Sequence, residues 1–366
     1  MISYVSKLRC LKLTSPTLLC HVTRYYKRSR VSGSTLIRDI DPQEGEVLSL
    51  SHFNTDSSSL VMFGTQKGCI HSWDLRCAKE PFALNLMPEL GYLTSMTVGH
   101  DRNWAMAGTN RGFLCLWDLR FQKIIKLWQH GNAVPISRLA ASSASPLHGT
   151  TEAPFVFVGT GTNEASAFDI FEGECRQCFR VLNSELSYVD QSALPISCLS
   201  LPSLQEFPIP SRSQRKIHDI QNGLFDGMKR NRFCIPEPSI LSLVGRIGAG
   251  AGNYLITGGS DCCIRYWDFT ATSKCYTVSG FVNSQPKPVY EKVDMSANSK
   301  LFLCRQMPVP RTSEMENSKI PQKLQRGAVR PDVNCHHDAI LDLKIIDYPM
   351  KGLLSCSRDG IIKLWR

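Results

Sequence analysis

Short apolar runs separated by turn-forming residues recur along most of the chain. In each recurring segment a continuous apolar run leads through a Gly, Asn or Asp turn into a second strand that ends in an aromatic residue. A run buried on both faces is continuous rather than alternating, and Gly, Asn and Asp tolerate the backbone of a tight turn. Each segment therefore predicts a β-hairpin. The copies are LVMFGTQKGCIHSWDLR (60–76), WAMAGTNRGFLCLWDLR (104–120), FVFVGTGTNEASAFDI (155–170), YLITGGSDCCIRYWDF (254–269) and LLSCSRDGIIKLWR (353–366).

Additional apolar runs flank most of these hairpins, which makes four strands per unit. The aromatic ends Trp73, Trp117 and Phe168 are 44 and 51 residues apart, the length of one blade of a β-propeller. We therefore predict an all-β fold with about five recognisable blades in residues 44–366. Their approximate limits are 46–87, 92–129, 133–182, 194–280 and 336–366.

Two longer intervals interrupt this regular spacing of the aromatic residues. Phe168 and Trp267 are 99 residues apart, and Trp267 and Trp365 are 98 apart, about two blades each. A degenerate blade or an inserted loop could fill either interval. Residues 201–238 and 283–334 are rich in Pro, Ser and charge and lack the turn–aromatic–Asp pattern. We interpret 201–238 as an insertion within the fourth blade and 283–334 as a long disordered loop.

The net charge of +10 is concentrated at the N-terminus. Residues 1–38 contain eight Lys or Arg and no acid, whereas the remainder contains 34 basic and 32 acidic residues. The near-neutral body disfavours a nucleic-acid partner. The basic segment, 1–43, is interpreted as an eroded blade or a non-native start, with strand-like runs at 8–13 and 18–22. A patch for anionic lipid and a mitochondrial transit peptide are the alternatives.

Fifteen cysteines are scattered through the chain, several of them inside apolar strand-like runs, among them Cys69, Cys115 and Cys356. This pattern is typical of free, buried thiols in a reducing compartment. No apolar run is long enough for a membrane span, and no secretory signal is recognised. We therefore expect an intracellular protein.

The Trp-Asp pairs at 73–74, 117–118 and 267–268 resemble WD repeats. More narrowly, HSWDLR (71–76), CLWDLRFQ (115–122), LITGGSDCCIRYWDF (255–269), the His-His-Asp at 336–338 and CSRDGIIKLWR (356–366) resemble one family. It is the regulatory, protein-kinase-like subunit of the class III phosphatidylinositol 3-kinase complex. The resemblance implies an incomplete seven-bladed ring. The kinase-like and helical parts of that family are not recognised, so we expect a fragment, a short form or a truncated gene model.

The resemblance implies a non-catalytic interaction scaffold that acts in autophagy and endosomal trafficking. Implied partners are the catalytic subunit of the lipid kinase and the Beclin-type and associated coiled-coil subunits. The implied location is cytoplasmic, peripheral on endosomal and autophagic membranes through the complex. The alternative is an unrelated WD-repeat adaptor, for example in ubiquitin ligation or vesicle transport. An enzyme is not favoured, because no nucleophile–base–orienter set is recognised.

Candidate site residues are structural, and no catalytic, metal or cofactor-binding residue is predicted. Neither Cys175 and Cys178 nor the adjacent Cys262 and Cys263 have a second ligand pair at zinc spacing. The aspartates of the repeat motif are interpreted as caps of the following turn. By resemblance, His336 or His337, and likewise His130, join a hydrogen-bond network with Ser/Thr and Trp. The motif residues are Trp73, Asp74, Trp117, Asp118, Phe168, Asp169, Trp267, Asp268 and Trp365, with Asp261, Asp359 and Gly360 in hairpin turns.

Overall fold

The computed structural model consists of β-sheets. Within the residues that it describes, the only helical elements are three single 3-10 turns, at Pro42–Glu44, Pro88–Leu90 and Thr272–Lys274. The described residues are 18–21, 24–29, 33–39, 41–54, 57–77, 79–130, 133–142, 154–161, 163–182, 239–247, 252–280, 288–295, 299–305, 335–346 and 351–366.

Five antiparallel sheets follow one another along the chain as propeller blades, which confirms the predicted all-β, five-bladed arrangement. Blade 1 is β4–β7 and blade 2 is β8–β11, with strands Val47–Asn54, Ser59–Thr65, Cys69–Asp74, Ala83–Asn85, Leu93–Val98, Trp104–Thr109, Phe113–Asp118 and Lys123–Gln129. Blade 3 is β12–β15, with strands Ile136–Ala141, Phe155–Thr160, Glu164–Asp169 and Glu174–Leu182. Blade 4 is β16–β19 and blade 5 is β22–β24, with strands Ile240–Arg246, Tyr254–Gly259, Ile264–Asp268, Tyr276–Ser279, Ile340–Ile346, Gly352–Ser357 and Ile362–Trp365.

A glycine in the second strand of each of the first four blades accommodates the next blade. A Cβ atom added at Gly108 would lie 2.5 Å from Cγ2 of Ile136, the first residue of β12. That distance is far inside normal packing, so only glycine allows the two blades to approach this closely. The same relation holds for the pairs Gly64–Leu93 and Gly258–Ile340, and a Cβ atom at Gly159 would lie 3.1 Å from Cγ2 of Ile240, which is tight but less severe.

These contacts determine the order of the blades. Because Gly159 meets Ile240, blade 4 packs directly on blade 3, and no further blade lies between them. Because Gly258 meets Ile340, blade 5 likewise packs directly on blade 4. The two long intervals of the sequence therefore do not add a blade at these junctions, although residues 201–238 themselves lie outside the described part.

The first strand of each blade is an edge strand of its sheet, and we call it the inner strand. Hydroxyl groups on an inner strand accept hydrogen bonds from backbone amides of the inner strand of the next blade. Ser49 Oγ accepts from the amide of Met96 at 3.2 Å, and Ser95 Oγ accepts from the amide of Leu139 at 2.9 Å. An inner strand has a sheet neighbour on one side only, so the amides on its other side need partners of this kind. The hydrophobic core lies mainly between blades, where side chains of adjacent sheets form continuous clusters.

Two described parts of the interval 283–334, residues 288–295 and 299–305, differ from the disordered loop expected of this interval. Residues Val289–Asp294 (β20) and Lys300–Arg305 (β21) form a hairpin, and β21 pairs in parallel with the outer strand β15 of blade 3. Phe302 is buried and its ring centroid lies 5.0 Å from that of Phe179. The side chains of the apolar run 301–304 alternate between two clusters: Leu301 and Leu303 pack with residues of blades 2 and 3, and Phe302 and Cys304 pack with residues of blades 3 and 4.

The N-terminal segment contains a separate three-stranded antiparallel sheet: Leu18–His21 (β1), Arg24–Ser29 (β2) and Gly33–Asp39 (β3). The strand-like run expected at 8–13 lies outside the described residues. Ten of the described cysteines are free, but Cys356 is disulfide-bonded, contrary to the expectation of a free thiol. No helix among the described residues is long and apolar enough to cross a membrane.

Candidate functional site

The last blade contains a four-residue hydrogen-bond network. Ser355 Oγ lies 2.7 Å from His336 Nε2 and accepts from Trp365 Nε1 at 2.8 Å, and His336 Nδ1 lies 3.3 Å from Asp359 Oδ2. The network joins the loop before β22 to the hairpin that follows. Burial lowers the pKa of His336 despite the opposing charge of Asp359. His336 is therefore the histidine of the network, whereas the side chain of His337 is exposed and its amide contacts Asp359.

The strand register shows which other blades carry this network. The position of Ser355 is taken by Thr257 in blade 4, and Trp267 Nε1 donates to Thr257 Oγ1 at 3.0 Å. In blades 1 to 3 the equivalent residues have no hydroxyl group, so they cannot accept a side-chain hydrogen bond from an indole N–H at the tryptophan position. Those equivalent residues are Phe63, Ala107 and Val158.

His130, which the resemblance assigns to such a network, contacts a buried carboxylate. It is buried, and its Nε2 lies 3.2 Å from Glu164 Oε1. Glu164 also forms an ion pair with Arg180 at 2.7 Å. Val158 and Phe168 stand where blade 5 has its hydroxyl and its indole, and the carboxylate that contacts His130 is itself held by Arg180.

The motif aspartates cap the turns that follow them. Each accepts a hydrogen bond on one carboxylate oxygen from the amide two residues later, as in an Asx-turn. The amide of Arg76 lowers the pKa of Asp74, and the side chain of Arg120 lowers the pKa of Asp118. The carboxylates are therefore engaged with their own turns rather than paired for acid–base chemistry. The pairs are Asp74–Arg76 at 2.9 Å, Asp118–Arg120 at 2.9 Å, Asp169–Phe171 at 2.9 Å and Asp268–Thr270 at 2.8 Å.

The hairpin-turn residues act in the same local way. Asp359 Oδ1 accepts from the amide of Ile361 at 2.9 Å, and Gly360 has a φ of 83°, which favours glycine. Asp261 Oδ1 accepts from the amide of Cys263 at 3.2 Å. Its second oxygen forms a 2.7 Å ion pair with the buried Arg265.

The capped turns of blades 2 and 3, with one residue of the adjoining strand β11, present an exposed aromatic surface, which we name the aromatic rim: Arg120, Phe121, Lys126 and Phe171. Phe121 is 69% and Phe171 72% exposed. Lys126 Nζ donates to the carbonyl of Phe171 at 2.7 Å and thereby joins the two blades. The guanidinium of Arg120 lies 5.5 Å from the ring centroid of Phe121. The sequence pattern indicates these turns only as capped turns, because exposure is not visible in it.

Comparisons with known proteins agree with this architecture. A family model described as "WD domain, G-beta repeat" matches residues 249–268 and 330–366, in the two blades that have a Trp–hydroxyl bond. The chain is 29% identical over 347 residues to the serine/threonine-protein kinase VPS15 of Arabidopsis thaliana, covering 92% of this chain and 22% of the relative. It is 24% identical over 421 residues to the probable serine/threonine-protein kinase vps15 of Dictyostelium discoideum, covering 91% and 21%.

A third relative, the putative serine/threonine-protein kinase VPS15 of Komagataella pastoris, is 20% identical over 283 residues. The chain spans about a fifth of the length of these curated relatives. The alignments cover the repeats, and no kinase fold occurs among the described residues. The chain is thus a WD-repeat propeller homologous to the WD region of the VPS15 proteins.

Proposed function

We propose that this chain is a non-catalytic protein-interaction scaffold that acts within the class III phosphatidylinositol 3-kinase complex. The observation that supports this proposal is the similarity to VPS15 proteins over 92% of the chain. The chemistry of the described residues agrees with it, since the repeat aspartates cap turns and the blade histidines bind structural partners. By this proposal the chain acts in autophagy and endosomal trafficking, and reaches membranes peripherally through its complex.

The aromatic rim is the proposed contact surface for the Beclin-type coiled-coil subunits. Exposed large aromatics at neighbouring turns lose contact with water on binding, and aromatic residues with Arg are enriched in interface centres. The two basic side chains, Arg120 and Lys126, suit an acidic or amide-rich face of a coiled coil. The catalytic subunit is expected to join the same assembly.

The test is co-purification of the 366-residue chain with the catalytic and Beclin-type subunits after co-expression. The rim variant changes Phe121 and Phe171 to Ser, and the matched control changes Tyr276 to Ser, an exposed aromatic on blade 4. Loss of a central aromatic side chain weakens binding by about 2 kcal/mol or more, roughly thirtyfold. We expect recovery of the subunits to fall with the rim variant and to stay at the wild-type level with the control.

Two results would contradict different parts of the proposal. Recovery of none of these subunits by the wild-type chain would exclude the scaffold role in this complex. Equal recovery by the rim variant and the wild type would leave the scaffold role standing but exclude the rim as the contact surface. Thermal unfolding of both variants at the wild-type temperature is the control for folding.

A further inference from the structure

Blade 1 has a cluster of ionisable side chains at the place where blade 5 has its His–Ser–Trp network. Phe63 occupies the register position of Ser355, and Glu44 precedes Phe63 by 19 residues, the same interval as between His336 and Ser355. His71 lies opposite Phe63 in the register, as Lys363 lies opposite Ser355. The two blades therefore have the same arrangement of backbone positions here, but in blade 1 these positions carry side chains that can bind metal ions.

Three potential ligands converge there. One ligand atom each of Glu44, Cys69 and His71 lies within 4.8 Å of the other two. Glu44 Oε2 is 2.7 Å from His71 Nε2, and Glu80 Oε1 is 2.6 Å from His71 Nδ1. The side chain of His71 is 10% exposed and that of Glu44 is 23% exposed. The cluster is thus mostly shielded from water, with an open side at Glu44.

Both ring nitrogens of His71 have carboxylate partners, Glu44 at Nε2 and Glu80 at Nδ1. The thiol of Cys69 lies within 4.8 Å of the ligand atoms of Glu44 and His71. Nitrogen, oxygen and sulfur ligands at one place are a combination that suits a borderline-soft divalent ion better than a hard one.

We propose that Glu44, Cys69 and His71 form a zinc-binding site in blade 1. Nitrogen, sulfur and oxygen ligands together suit Zn²⁺, and three protein ligands leave a fourth position for water. Glu80 then accepts from Nδ1–H of His71 and orients the ring, an arrangement common around metal-bound histidines. The inference is independent of the scaffold role.

The backbone holds the ligands in place before any ion binds. The amide of Lys67, in the turn between β5 and β6, donates to the carbonyl of Glu44 at 3.1 Å. This bond attaches the loop that carries Glu44 to the hairpin that carries Cys69 and His71. The ring of Phe63 stacks on His71 with a centroid distance of 5.0 Å. Both contacts reduce the ordering that metal binding would otherwise require.

Small side-chain movements suffice to reach zinc geometry. Tetrahedral coordination with ordinary bond lengths separates ligand atoms by about 3.3 to 3.6 Å. On this basis the Glu44–His71 contact of 2.7 Å must lengthen by less than about 1 Å. Rotation of the partly exposed Glu44 side chain can supply that movement, while His71 stays fixed by Glu80 and Phe63.

The experiment measures metal binding by the full 366-residue chain. The purified wild-type protein is loaded with Co²⁺ and then Zn²⁺, and the thiolate-to-cobalt absorption band and the bound zinc are measured. We expect about one ion per chain at this site and a cobalt–thiolate band that disappears in Cys69→Ser. The matched control is Cys262→Ser, a half-buried thiol of blade 4, which keeps the band.

A thermal-unfolding measurement separates metal binding from misfolding. In the presence of a chelator, Cys69→Ser and the wild type are expected to unfold at similar temperatures. Added zinc raises the unfolding temperature of the wild type and of Cys262→Ser but not of Cys69→Ser. A Cys69→Ser protein that binds as much zinc as the wild type overturns the proposal. So does a wild type without the cobalt band.

Discussion

The indole of Trp267 and the hydroxyl of Thr257 offer a direct test of the hydrogen bond that distinguishes blade 4. Trp267 is 0% and Thr257 2% exposed, and the bond between them is 3.0 Å long. Thr257→Val keeps the shape of the side chain but removes the acceptor, so the indole N–H stays buried without a partner. Such a donor costs about 1–3 kcal/mol, and we expect the free energy of unfolding to fall by that amount.

Blade 3 contains a pair of residues for which the cost of a buried N–H without a partner does not arise. There the equivalent positions hold Val158 and Phe168, a pair with neither donor nor acceptor. Replacing both partners by apolar groups is nearly neutral. In a Trp267→Phe background, Thr257→Val should therefore cost less than about 0.5 kcal/mol, which leaves a coupling energy of about 0.5–3 kcal/mol between the two sites.

The assay is urea unfolding of the four proteins of this cycle, followed by far-UV circular dichroism. Threonine and valine are both β-branched, so strand propensity differs little between the members of each pair. An equal cost of Thr257→Val in the wild type and in the Trp267→Phe background would refute the reasoning, because the hydroxyl would then act through another contact. A gain of stability from Thr257→Val alone would refute it as well.

Three other outcomes follow from the structure. Phe302→Ala is expected to lower the free energy of unfolding by about 3–5 kcal/mol. Val289 is 45% exposed on the same hairpin, so Val289→Ala should change this free energy by less than about 0.5 kcal/mol. Similar urea midpoints for the two variants would contradict this prediction. Burial lowers the pKa of His336, so its contribution to stability is present above the unfolded value of about 6.5 and is lost as pH falls below it. His336→Gln should flatten the slope of urea midpoint against pH there, and an unchanged slope would contradict it. Burial raises the pKa of Asp359 but hydrogen bonds from the amides of His337 and Ile361 and from the side chain of His336 lower it overall. Its contribution is therefore present above about pH 4 and lost on further acidification, and Asp359→Asn should weaken that acid dependence of the urea midpoint.

The repeat architecture was largely predictable because its determinants are local. Each hairpin needs an apolar run, a turn that tolerates its backbone and an aspartate that caps the next turn, and all three lie within about twenty residues. Asp118 and Asp268, for example, act in the structure as the caps that the pattern indicates. Contacts between residues that are close in sequence produce a regular pattern of residue types along the chain.

The exceptions involve residues that are distant in sequence. The β20–β21 hairpin lacks the repeat pattern, and its place in the fold depends on the outer strand of blade 3 and on the clusters that blade 3 shares with blades 2 and 4. The candidate metal ligands of blade 1 do not form a recognisable motif along the chain, because Glu44 comes from a different segment from Cys69 and His71. An alignment of the blades by strand register would have brought Glu44 to the position of His336.

The five repeat hairpins and their capped turns can be derived from the amino-acid sequence, because hydrophobic period and turn chemistry are properties of adjacent residues. Which blades touch is established only in the folded chain, through glycines such as Gly159 that admit the side chain of the next blade. The same holds for the polar residues that share a partner, as His336 and Trp365 share Ser355. Close packing and hydrogen bonding depend on distances in space, which residues far apart along the chain acquire only when the blades assemble.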